Sequence, residues 1–170
     1  MNTLASTTVL SNFSAVSRLD LLKELLGRLY IPNEVFEEVL NGLEGGHDFY
    51  NNVEAEIYPL AETGWIEVVS MVDDEELRLF RSLPRRLHHG EAAGMAIARH
   101  RNWAFLTDDK PAGATSLALG ITVSGTLGAP VPGVKRGQMT VGAGDELLRE
   151  MIDRGHRSPR TSLQHLLESA

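Results

Sequence analysis

The sequence contains no cysteine. Disulfides, zinc ribbons, thiol nucleophiles and dithiol redox motifs are excluded together, and the absence suits a reducing compartment. Long apolar runs are missing as well. No stretch approaches the roughly 20 residues needed to span a bilayer, and the first residues do not read as a charged segment leading into an apolar signal sequence. The expectation is a cytoplasmic protein with no membrane partner. Positive charge is in deficit: 16 Lys and Arg face 23 Asp and Glu, a net charge of −7. That balance argues against a basic surface of the kind that coats duplex nucleic acid. It does not exclude a site built of carboxylates, where divalent cations cancel local negative charge, and it leaves room for a basic partner covering such a site. No internal repeat or low-complexity tract is present.

What is present suits a folded α/β chain. With 170 residues, 42% of them hydrophobic, one core and one domain over residues 1–170 are expected. Leu4 to Leu10, with Thr7, Thr8 and Val9, reads as a first strand running into a loop. Leu19, Leu22 and Leu26 carry a helical period that Gly27 ends. Tyr30 and Ile31 lead into Pro32, which suits the first turn of a second helix through Leu40. Residues 41–64 are less regular: Gly42, Gly45 and Gly46 suggest a turn, and Val53 to Glu62 suggests a helix. Trp65 to Val69 reads as a strand, and Asp73 to Glu76 opens a helix where acids favour the positive dipole end. A helix from about Gly90 to Arg101, a buried strand from Trp103 to Thr107, a helix from Pro111 to Leu119 and a short strand from Ile121 to Val123 follow. Residues 139–170 hold two amphipathic helices, one through Leu147, Leu148, Met151 and Ile152, the other through Leu163, Leu166 and Leu167. Strands alternating with helices imply a mostly parallel central sheet flanked by helices. Ligands of such sheets bind beyond the C-terminal strand ends, which selects Ser6-Thr7 and Asp108-Asp109 as site-lining positions.

Four stretches carry the chemistry. They are Ala5 to Phe13, with Ser6, Thr7 and Asn12; Ile31 to Val39, where Glu34 and Glu38 share a helix face at i, i+4; Leu87 to Ala93, with Glu91 in a first helical turn; and Phe105 to Lys110, with Thr107, Asp108 and Asp109. Each has an ordinary structural explanation by itself. Glu38 suits a solvated helix face, Glu91 a helix N-terminus, and Asp108-Asp109 a turn before Pro111. Other candidates are weaker. His88 and His89 lack zinc-ligand spacing and partner cysteines. Asp73 to Glu76 lacks the alternation and glycine of a calcium loop. Gly142-Ala143-Gly144 lacks the dinucleotide fingerprint. The small basic groups Arg85-Arg86, Lys135-Arg136, and Arg154, Arg157 and Arg160 read as solvated surface, with those nearest a cleft as candidate phosphate contacts.

The order of the four stretches is more specific than any one of them. Ser6-Thr7-Thr8, Arg18-Leu19-Asp20-Leu21-Leu22, Tyr30-Ile31-Pro32, Val35-Phe36-Glu37-Glu38, Gly64-Trp65-Ile66-Glu67-Val68, Gly90-Glu91-Ala92, Asp108-Asp109 and Gly125-Thr126-Leu127-Gly128 occur in sequence. Together they resemble the PIN-domain nucleases, in particular the small prokaryotic branch related to toxin–antitoxin ribonucleases. The resemblance covers nearly the whole chain. It implies a PIN-like three-layer α/β fold, Mg²⁺- or Mn²⁺-dependent cleavage of RNA, an antitoxin protein as partner and a homodimer. Carried over position by position, it makes Glu38, Glu91 and Asp109 the catalytic and metal-ligating acids, with Asp108 as an auxiliary member. Ser6, Thr7, Asn12 and Thr107 would line the site, Thr7 holding a water or phosphate.

The departure from the family pattern falls on the first acid. Where an Asp is expected at the end of the first strand, the chain has Ser6. A neutral hydroxyl is a weaker ligand for a hard cation than a carboxylate. The resemblance therefore implies a ribonuclease whose activity is weakened or lost. The alternative is a catalytically inactive PIN-fold module that binds RNA or a partner protein.

Overall fold

The computed structural model describes residues 1–158 and 160–168, the side chains of Phe49 and Asn51 excepted. Six strands form one sheet: β1 (Thr3–Ala5), β2 (Leu29–Pro32), β3 (Ile57–Tyr58), β4 (Ile66–Val69), β5 (Ala104–Leu106) and β6 (Val123–Ser124). Their order is β3-β4-β2-β1-β5-β6, and every pairing is parallel. Parallel strands need helical crossovers, and these cover both faces. The helices are α1 (Thr7–Ala15), α2 (Leu19–Leu26), α3 (Asn33–Glu44), α4 (Asn51–Glu54), α5 (Asp74–Ser82), α6 (His89–Arg101), α7 (Lys110–Ala118), α8 (Val131–Lys135), α9 (Val141–Asp153) and α10 (Gln164–Glu168). This is the three-layer α/β architecture expected from the sequence.

Two apolar clusters hold the layers together. One joins Val9, Leu10 and Phe13 of α1 to Leu22, Ile31, Val35, Ile66 and Leu147. The other joins Leu4, Met95, Ile97, Phe105 and Ala112 across the opposite face. Helix α6 is buried from Gly90 to Ala98 without interruption, so its sequence shows no one-sided apolar stripe. Small residues let it lie close to the sheet. A Cβ at Gly94 would come within 2.6 Å of the Phe105 ring, which is why that turn carries glycine.

Several local expectations are corrected. The first strand ends at Ala5, and Thr7 to Leu10 are helical rather than strand and loop. Burial of Val9, Leu10 and Phe13 on one face outweighs the β-propensity of Thr7, Thr8 and Val9. Pro32 closes strand β2 and stands as the N-cap of α3, one step before the helical turn expected for it. Gly42 lies inside α3, which continues to Glu44. Val53 to Glu62 is not a helix: α4 stops at Glu54, and Ile57–Tyr58 pairs with β4 as an edge strand. Two residues are too few to show an alternation. The last strand is Val123–Ser124 rather than Ile121 to Val123, and α8 was not anticipated. No helix among the described residues is long and apolar enough to cross a membrane.

One buried ion pair ties the edges of α5 and α6 together. Glu76 is fully buried. Its Oε1 accepts from Arg101 Nε at 2.7 Å and its Oε2 from Arg101 Nη2 at 3.2 Å. The backbone N–H groups of Val72 and Asp73 also donate to Oε2, at 2.9 and 3.3 Å. Asp73 completes a capping box with Glu76. Arg101 further donates to Ser70 O at 2.8 Å and lies over the Trp103 ring at 5.4 Å. Burial pushes the Glu76 carboxyl up, but Arg101 and the two amides outweigh it and hold the group below its ordinary value of 4.5. A depressed carboxyl contributes stability that is present above the unfolded value and lost as pH falls through the folded one. Glu76→Gln should therefore cost about 3 kcal/mol at neutral pH by leaving Arg101 without its counter-charge. In urea unfolding, the gap between wild type and variant should narrow as the pH is lowered through the acid range.

Candidate active site

The sheet order fixes where a site can form. From β1 the chain moves outward to β2, β3 and β4, then returns to place β5 and β6 on the other side of β1. The switch point lies between β1 and β5, and clefts open beyond the C-terminal strand ends at such points. Ser6 follows β1, and its N–H donates to Leu106 O at 2.9 Å. Thr107, Asp108 and Asp109 follow β5, with Thr107 N–H donating to Ser124 O at 2.9 Å. Residues about a hundred apart in the chain thus share one edge.

Each acid is held there by its own donors. Glu38, on α3, accepts from the Thr7 hydroxyl at Oε2 and from the Gly90 N–H at Oε1, the latter at 3.3 Å. Gly90 permits that approach, since a Cβ there would lie 2.9 Å from Glu38 Oε1 and 2.7 Å from Val35. Glu91 is in the first turn of α6 and only 6% exposed. Its Oε1 accepts from Thr107 Oγ1 at 3.4 Å, and its Oε2 is buried with no hydrogen-bond partner. Asp108 accepts three bonds: from Thr126 N–H at 2.8 Å, Thr126 Oγ1 at 2.5 Å and Asn12 Nδ2 at 2.9 Å. Gly125 makes room for it, because a Cβ there would stand 2.6 Å from Asp108 Oδ1. Asp109 caps α7, accepting from Ala112 N–H at 2.7 Å, while its own N–H donates to Thr107 Oγ1 at 3.2 Å.

An open cleft of about 400 Å³ runs past these groups. Glu91, Asp108 and Asp109 line it together with Thr8, Asn12, His88, Gly155, His156 and Arg157. Glu38 and Thr7 stand outside the lining, joined to it through Gly90. Ser6 is 1% exposed, and its Oγ has no hydrogen-bond partner. Burial raises the Glu91 carboxyl above its ordinary value, and the negative charge of Asp109 raises it further; His88 and the Thr107 hydroxyl offset this in part.

The sequence matches the family described as DUF3368, PIN domain, over residues 3–170. The chain belongs to the PIN-domain family. A solved structure of a PilT N-terminus domain protein from the hyperthermophilic archaeon Sulfolobus solfataricus P2 is similar at 17% identity and a TM-score of 0.38, covering 93% of this chain and 99% of the other. No curated protein matches. PIN domains in general depend on divalent metal.

The PIN residues of this chain fit such an ion in part. All donors are oxygens, the preference of Mg²⁺ and Mn²⁺, and the unpartnered Glu91 Oε2 and Ser6 Oγ are buried polar atoms of the kind a ligand satisfies. The acids do not form a closed cage, however. Among the described residues, the group of three or more whose ligand atoms all lie within 4.8 Å of one another is Asp73, Glu75 and His100, at the start of α5 and the end of α6. An open site suits a cation that keeps several waters and takes one or two carboxylates.

Sequence reasoning left Gly125 and Thr126 without a role, although both occur in the motif Gly125-Thr126-Leu127-Gly128. Their function as a cradle for Asp108 depends on β6 lying beside β5. His156 and Arg157 were not separable from their basic neighbours. A carboxyl raised in the folded state contributes stability that is present below the unfolded value and lost as pH rises through the folded one. In EDTA, Glu91→Gln should therefore raise Tm by a few degrees at neutral pH and have little effect in acid, as read by a thermal melt across pH; a domain this size shifts by roughly 2–4 °C per kcal/mol.

Proposed function

We propose that this PIN-domain chain is a Mg²⁺- or Mn²⁺-dependent endoribonuclease, related to the toxin half of a toxin–antitoxin pair, in which Ser6 weakens or abolishes cleavage. The observation that carries the reading is Glu91, Asp108 and Asp109 lining one cleft at the switch point, with a buried carboxylate oxygen of Glu91 left unpartnered. RNA as substrate, an antitoxin as protein partner, a homodimer and a cytoplasmic location belong to the same proposal.

In this reading Glu91 and Asp109 are the ligand acids facing the cleft, and Glu38 belongs to the acid set through Gly90. When bound, Mg²⁺ or Mn²⁺ supplies the Lewis acidity that makes water a competent nucleophile and neutralises phosphate charge. The remaining work falls to the protein. The Thr107 hydroxyl donates to Glu91 Oε1 and accepts from the Asp109 N–H, so one group orients both. Asn12 and Thr126 fix Asp108, whose accepted bonds make it a positioning member more than a free ligand. Thr7 holds Glu38 in place.

Ser6 is the weak point. It contributes no charge at the end of β1, where the family pattern has an acid. That observation also favours the second reading, a PIN-fold module that binds RNA or a protein without cutting it. An assay with unstructured and structured RNAs in Mn²⁺ separates the two. Ser6→Asp should raise the cleavage rate tenfold or more over the natural chain, about the effect of restoring one metal-ligating charge, and Ser6→Asp/Glu91→Ala should lose the gain. Equal inactivity of wild type and Ser6→Asp, with both folded, would favour the binding module.

A further inference from the structure

The three basic residues near the end of the chain, Arg154, Arg157 and Arg160, are indistinguishable by type and spacing. The fold separates them. Arg154 is the C-cap of α9, and neither it nor Arg160 lines the acidic cleft. Arg157 does, beside His156. The same two residues, with Asp108 and Asp109, also line an adjoining cavity of about 370 Å³ whose walls include Leu117, Val123, Leu127 and Leu166. Arg157 therefore stands where the two cavities adjoin, as Asp108 and Asp109 do.

Its position is set by the fold at both ends of the segment. Helix α9 is anchored in the core by Leu147, Leu148 and Met151. It ends in a Schellman turn: Gly155 takes φ +102°, its N–H donates to Ile152 O at 2.9 Å, and His156 N–H donates to Met151 O at 2.9 Å. That turn aims the following residues back across the strand ends. Downstream, Asp145 of α9 accepts from Leu163 N–H at 2.7 Å and from Ser162 Oγ at 3.0 Å, and Leu163 is buried at 1% exposure. The segment that carries Arg157 is thus pinned on either side. The guanidinium is exposed and forms no ion pair among the described residues.

A cleft walled by Glu91, Asp108 and Asp109 repels an incoming phosphate, and among the described residues that line it Arg157 is the one Lys or Arg. We infer that Arg157 is a substrate-binding residue whose guanidinium takes a phosphodiester of single-stranded RNA at the mouth of the acidic cleft. An unpaired, exposed arginine offers a planar fork of donors matched to two phosphate oxygens. The inference rests on the reading of the cleft as an RNA site.

The test is binding rather than cleavage. A fluorescently labelled, unstructured RNA oligonucleotide is titrated with the full chain in Mg²⁺ at several salt concentrations, with anisotropy as the signal and the RNA checked for integrity by gel. Arg157→Ala should weaken binding about tenfold and make the slope of log affinity against log salt shallower by roughly 0.7, the value for one phosphate contact on a single strand. Arg157→Lys should recover most of the slope. Arg78→Ala on α5 removes the same charge from a position outside the cleft and should leave both quantities unchanged. Thermal melts of all variants should coincide with wild type. Wild-type affinity and slope in Arg157→Ala, or an equal loss in Arg78→Ala, would overturn the inference while leaving the RNA reading intact. No RNA binding by the wild-type chain would overturn both.

Discussion

Strand β1 hydrogen-bonds in parallel to β5, with Thr3 opposite Ala104 and Ala5 opposite Leu106, and the acidic cleft follows from that register. It brings Ser6 level with Thr107 and sets Asp108 and Asp109 immediately beyond. Thr107 then reaches Glu91 with its hydroxyl, so α6 is tied to the same edge. A slip of one residue would turn every side chain of β1 to the opposite face, and the polar strand ends would no longer meet. Close packing of α6 on Phe105 through Gly94 keeps the helix, and with it Glu91, near enough for that contact.

Around this register the glycines act as spacers for carboxylates. Gly90 lets Glu38 come up against the backbone of α6, and Gly125 lets Asp108 lie against the β6–α8 connection. The result is a set of individually oriented acids. Buried Glu91 is disfavoured as an anion by its surroundings and by Asp109. Ser6 adds no charge to that repulsion, and in the proposed reading the same neutrality weakens the attraction for a cation.

Much of this was legible in the chain. The alternation of strand and helix, the Gly27 stop, the acid-rich start of α5 and the strand before Asp108 are local signals, and the structure carries all of them. The errors fell where local preference and packing disagree. Thr7 to Leu10 looked like strand because β-branched residues favour it, yet their apolar face is covered only as a helix. Ile57–Tyr58 was invisible because a two-residue edge strand takes its identity from β4. Within the acid set, Glu91, Asp108 and Asp109 line one cleft, while Glu38 stands outside its lining, bound by Thr7 and Gly90.

The sequence alone determined the class of fold, the oxygen-rich donor set without cysteine, and the absence of a carboxylate at position 6, because these depend on residue types and their order. Tertiary structure decided which donors hold which acid, that Ser6 is buried with an unpartnered hydroxyl, and that Arg157 faces the cleft while Arg154 and Arg160 do not. Those facts depend on strand order and on the turn at Gly155. Contacts between residues a hundred positions apart leave no mark in local spacing, since the entropy of closing a long loop changes only slowly with its length and so does not select the partner. Only the packed sheet brings them to one edge.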